Sequence, residues 1–144
     1  MKKILFALTL LISGNLFGQS NLGSEEFMRH FVKIFNEENL TEYKNSFHFP
    51  NSIISNGKIT YNHEDKIPPV FFENFKKAGW VYTKINHLKV LFEDKNTAVI
   101  MMEYSRFDKN DTVYLRTKGV YTLSKEKGFW QVISMATMSP EASK

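Results

Sequence analysis

The chain contains no cysteine. That excludes disulfides, thiolate chemistry and a lipid-modified cysteine behind a leader. Basic residues never gather, since no run of lysine or arginine exceeds two. A polybasic stripe for nucleic acid is therefore missing, and no nucleic-acid partner is expected. Serine nucleophile elbows, phosphate loops and dinucleotide fingerprints are absent, so no cofactor is expected. The histidines His30, His48, His63 and His87 are scattered, with no close pair of the kind that zinc motifs use. Internal repeats, low-complexity segments and linkers are also lacking. The one long hydrophobic run, Ile4 to Ile12, is broken only by Thr9. It is short for a membrane span, which needs roughly 20 residues.

That run has another use. Lys2 and Lys3 precede it, and Ser13, Gly14, Gly18 and Ser20 follow. A positive start, an apolar core and small residues make a secretory signal peptide over residues 1–20. Cuts after Gly18 or Ser20 both fit. Export to a periplasm or the extracellular space follows, with no membrane span after cleavage. Losing the leader removes two lysines and no acid, which lowers the formal charge from +4 to +2. The remaining residues, 21–144, suffice for one domain. With 42% hydrophobic residues and 13 Phe, the core has ample material.

Helical and strand patterns then alternate in blocks. Ser24-Glu25-Glu26 reads as a helix start, with serine as cap and acids at the positive dipole end. Phe27, Phe31, Ile34 and Phe35 recur at helical spacing, widened by Met28 and Val32. A second helix is predicted from Thr41, carrying Tyr43 and Phe47 and stopped by Pro50. Asn56-Gly57 lies between two short β-branched runs and predicts a tight hairpin. Pro68-Pro69 and Gly79 bracket a third helix over about 65–78. Four strand-like runs follow, over 81–92, 97–107, 112–124 and 129–138, divided by polar turns. Long sequential strands with short turns predict an antiparallel sheet, and helices must cover one of its faces. The fold class is α+β.

This order, with particular residues in place, resembles the nuclear transport factor 2-like superfamily and its SnoaL-like group. The residues are Phe49-Pro50 at a strand entry, Gly79-Trp80 after the third helix, and Tyr104-Ser105-Arg106-Phe107-Asp108 at a strand end. Gly119-Val120-Tyr121 and the closing Gly128-Phe129-Trp130-Gln131-Val132 complete the set. The resemblance implies a cystatin-like cone: a curved antiparallel sheet wrapped around about three helices, with a pocket at the open end. It also implies a homodimer through the outer sheet face, as in many members.

The superfamily includes ketosteroid isomerases, cyclases, dehydratases and epoxide hydrolases alongside proteins of unassigned function, so the fold does not give the function. The isomerase pattern places its tyrosine on Phe31, its base near Ser55 and its carboxylic acid near Gly119. None of these residues can do that work.

Strand alternation nominates a different set. Ile100, Met102, Tyr104 and Arg106 share a face, as do Gly119, Tyr121 and Leu123, and as do Thr83, Ile85, His87 and Lys89. With His48 at the cone's rim and Trp80 at its edge, the candidate pocket is His48, Trp80, His87, Tyr104, Arg106 and Tyr121. Each has a plainer alternative. His48, the one catalytic candidate, is either an acid–base group or a structural histidine. Arg106 either clamps a carboxylate or pairs at the surface with Asp108 or Asp111. Trp80, Tyr104 and Tyr121 also suit packing. Three functions stay open: a binding module for a small apolar or weakly acidic molecule, an enzyme of the same fold using His48, and a structural domain whose Phe and Met fill the cavity. A roomy apolar pocket with Arg106 pointing in favours the first.

Overall fold

A computed structural model describes residues 22–138. The predicted signal peptide lies outside the described residues. Helix α1 (Ser24–Asn36) is followed by α2 (Leu40–Asn45), then by strands β1 (Phe47–Ser55) and β2 (Lys58–Asn62). A single 3-10 turn (Glu64–Lys66) leads to α3 (Phe71–Lys77). The chain closes with β3 (Tyr82–Glu93), β4 (Thr97–Phe107), β5 (Val113–Ser124) and β6 (Gln131–Thr137). The strands form one curved, unclosed sheet in the order β2-β1-β6-β5-β4-β3. All neighbours run antiparallel except β1 and β6, which are parallel. That join comes from the non-local return of the last strand beside the first, which no turn in the sequence announces.

Helix α1 forms because its apolar stripe finds the sheet: Phe27, Met28, Phe31, Val32, Ile34 and Phe35 are all buried. Its start differs from expectation. Gly23 is the cap residue, and the Glu26 carboxylate accepts a bond from the Gly23 amide at 3.2 Å. Ser24 is buried inside the first turn, and its hydroxyl donates to Glu93 at the end of β3. The second helix starts one residue earlier than predicted. Asn39 caps it, accepting from the Glu42 amide at 3.1 Å, and Phe47 belongs to β1 instead. The predicted helix over 65–78 is split, because the two prolines separate the 3-10 turn from α3.

The Asn56-Gly57 hairpin is present, with φ of 49° and 71°, the left-handed values that this pair adopts at low cost. Register shifts bend the sheet between Ile85 and His87, between Val90 and Phe92, and at the β5–β6 pair near Thr122.

Phe35 stands at the centre of the core. Its ring lies 5.0 to 6.2 Å from those of Tyr43, Phe71, Phe72, Phe75 and Trp80, mostly edge-to-face. The next residue fixes the helix to the sheet. The Asn36 amide donates to the Thr83 carbonyl and accepts from the Thr83 amide, both at 2.8 Å. The side chain thus completes β3 where no strand does. Trp80 adds a bond from its indole to the Thr83 hydroxyl at 3.0 Å.

Removing this pair should loosen the whole cone. Asn36→Ala is expected to lower unfolding free energy in urea by about 2–3 kcal/mol. The exposed control Lys33→Ala should change it by less than about 0.5 kcal/mol.

Candidate functional site

The sheet's pleat decides which side chains meet the helices. On β4, Ile100, Met102, Tyr104 and Arg106 all face inward, as alternation predicts; on β5, Gly119, Tyr121 and Leu123 do the same. Between them and α1 lies a cavity of about 80 Å³. Its apolar wall is Phe31, Phe35, Met102 and Met135. Its polar side is Tyr43, Tyr104, Arg106, Tyr121 and Thr137.

Arg106 dominates this space. Its guanidinium carbon sits 4.5 Å from the Phe75 ring centre and 5.6 Å from those of Phe35 and Tyr104. Aromatic faces stabilise a cation in this way, and more so once water is displaced. Its Nε is buried and has no hydrogen-bond partner. Among the described residues no ion pair includes Arg106. The surface-pair alternative fails because both acids are engaged elsewhere. Asp108 accepts from the Asn110 and Thr112 amides in its own turn. Asp111 accepts from the Tyr82 hydroxyl at 3.2 Å.

The tyrosines are neutral donors. Burial pushes the Tyr43 hydroxyl far above its ordinary range, with the charge of Arg106 acting the other way. Burial likewise raises Tyr121 well above normal, and neighbouring Tyr104 adds to it through charge and a hydrogen bond. Tyr114 is raised chiefly by burial, with the positive charge of Arg106 acting the other way. The cavity therefore holds one fixed positive charge among uncharged phenols. Among the described residues, no imidazole or carboxylate lines it.

A family model described as NTF2-like protein (DUF6841) matches residues 21–140. The chain belongs to this NTF2-like family. No curated protein matches it. Among solved structures, an NTF-2 like protein of unknown function from Shewanella oneidensis superposes with a TM-score of 0.64 at 13% identity, over 79% of this chain and 94% of the other. A cystatin-like protein of unknown function from Nostoc punctiforme gives 0.65 at 11%, over 82% and 88%. A ketosteroid isomerase-like protein from Erwinia carotovora atroseptica gives 0.59 at 14%, over 83% and 94%. At such identities the likeness shows the NTF2-like fold alone.

Within this NTF2-like cone, three expected pocket residues lie elsewhere. His87 faces outward, because the irregularity after Ile85 pairs it with Glu103 and reverses the alternation. His48 does not line the cavity. Its Nε2 sits 3.1 Å from Oε2 of Glu126 on the β5–β6 turn, an acid distant in sequence. Trp80 is 2% exposed and packs on Phe35 and Phe72. Gly119 also has a visible reason. A Cβ there would meet the Ala136 carbonyl at 3.1 Å and the Tyr121 ring at 3.2 Å, so this NTF2-like chain has no room for an acid at that point. Phe31, Tyr43, Met135 and Thr137 were not foreseen in the site. The ring spacing of Phe31 and Phe35 on α1 carried the signal for the first, and the other three depend on tertiary packing.

The buried phenols set an alkaline limit. An unfolded tyrosine ionises near its ordinary 10.0 while folded Tyr43 and Tyr121 do not. Their contribution is complete below that value and is lost as pH rises above it. Stability in urea should fall by up to about 1.4 kcal/mol per pH unit for each of the two. Tyr43→Phe should remove one share of that slope, and an unchanged slope would contradict its burial as a phenol.

Proposed function

We propose that this protein is an exported binding module for a small, mainly apolar anion, held in the concave cavity by Arg106. The observation that carries this is a guanidinium packed among aromatic rings with no carboxylate partner. Such a group gains most from an anion brought in from outside, because the surrounding rings keep water from competing. Tyr104, Tyr121 and Tyr43 add neutral hydroxyl donors, and the Phe and Met wall takes an apolar body. The signal-peptide pattern supports export.

Binding without turnover is the reading that the lining favours. The cavity offers donors for an oxyanion but no group able to remove a proton near neutral pH. The core side chains narrow the cavity without filling it, which weighs against a purely structural role.

A second copy of the chain is the proposed protein partner. On the outer sheet face, Ile54, Ala136, Val120 and Met101 are aligned across four adjacent strands. They line a shallow groove of about 230 Å³ together with Met138. Beside them, Lys118 lies 3.8 Å from Glu103. A two-fold pairing would set each of these charges opposite its complement and cover the apolar row. Sedimentation should show a dimer at micromolar concentration, dissociated by Val120→Lys. A monomer at tens of micromolar would contradict the pairing.

The anion reading is tested with propionate and propionamide, similar in shape and different in charge. NMR titration should show propionate moving the Arg106 side-chain and Tyr104 resonances, with propionamide at least about tenfold weaker. In the Arg106→Gln variant that preference should vanish. Equal binding of the two, or shifts elsewhere on the surface, would overturn the reading.

A further inference from the structure

We infer that the ligand of the concave cavity is a short-chain monocarboxylate, docked on the Arg106 guanidinium. This rests on the anion-binding reading and adds the head group, the charge and the length.

The head group follows from the shape of the cation. Arg106 lines the cavity and makes no ion pair among the described residues, while its guanidinium is held over Phe75 at 4.5 Å. A planar carboxylate accepts two parallel bonds from a planar guanidinium. A neutral carbonyl can take only one such bond at comparable strength.

The charge follows from the neighbours. Arg106 is the single charged residue in the lining, and its polar companions Tyr43, Tyr104, Tyr121 and Thr137 are hydroxyls. One negative charge is therefore matched. A dicarboxylate or a doubly charged phosphate would carry an unmatched charge into a low-dielectric site.

The length follows from the volume. A cavity of roughly 150 Å³ accepts benzene, with its six carbons. The cavity here is about 80 Å³, which leaves room for roughly three or four carbons by the same scale. Each methylene enclosed by Phe31, Phe35, Met102 and Met135 should tighten binding about fourfold, and the gain should stop once the space is full.

The test is an NMR titration of the labelled protein with acetate, propionate, butyrate, hexanoate, octanoate, succinate and phosphate. Affinity should rise about fourfold per carbon from acetate to butyrate, then stay level to octanoate. Succinate and phosphate should be at least about tenfold weaker than butyrate. Arg106→Lys keeps the charge and removes the planar guanidinium fork. It should retain a native spectrum and lose about tenfold in butyrate affinity. Affinity that keeps climbing to octanoate overturns the length. Phosphate or succinate matching butyrate overturns the single charge. An Arg106→Lys protein that binds butyrate as well as the parent overturns the two-bonded head group. In each of those cases Arg106 still responds and the broader anion reading stands. If none of these acids moves Arg106 or Tyr104, both readings fall together.

Discussion

Packing of rings around Phe35 is the constraint on which the rest of this cone depends. Phe35 sits where all three helices meet the sheet, and Tyr43, Phe71, Phe72, Phe75 and Trp80 are placed by contact with it. The same cluster creates the site. Arg106 reaches inward from β4 and lies against Phe35 and Phe75, so the core that stabilises the fold also holds the cation in place. Asn36, one residue on, ties that cluster to β3 through the Thr83 backbone. A chain without disulfides has built its rigid end from aromatic surface and one side-chain amide.

The fold was legible because local signals agreed with one another. The α1 stripe, the Asn56-Gly57 turn and the four long strands each rest on neighbouring residues, and each appears close to its predicted span. The errors have a common origin. Ser24 was read as a cap from local chemistry, yet Glu93, far along the chain, holds its hydroxyl. The parallel β1–β6 join pairs the first strand with the last, which no short pattern encodes.

The site was half legible for the same reason. Period-two alternation put Tyr104, Arg106 and Tyr121 on the inward face, where the structure has them, because β4 and β5 are regular where those residues lie. It failed at His87, where a single irregularity after Ile85 turned the strand over. His48 looked isolated because its acid, Glu126, comes from a turn 78 positions later, as the numbering shows. Tyr43 joined the cavity through ring packing between α1 and α2, a contact set by how the helices cross.

What emerges is a cavity that holds, among the described residues, one cation and several neutral hydroxyl donors, enclosed by the NTF2-like cone. We propose that it receives an anion. The most direct test is a crystal structure of the protein grown with butyrate. A carboxylate on the Arg106 guanidinium, with its carbons against Phe31 and Met102, is the predicted result. Clear density with water alone in that cavity, or butyrate bound only on the outer face, would contradict it.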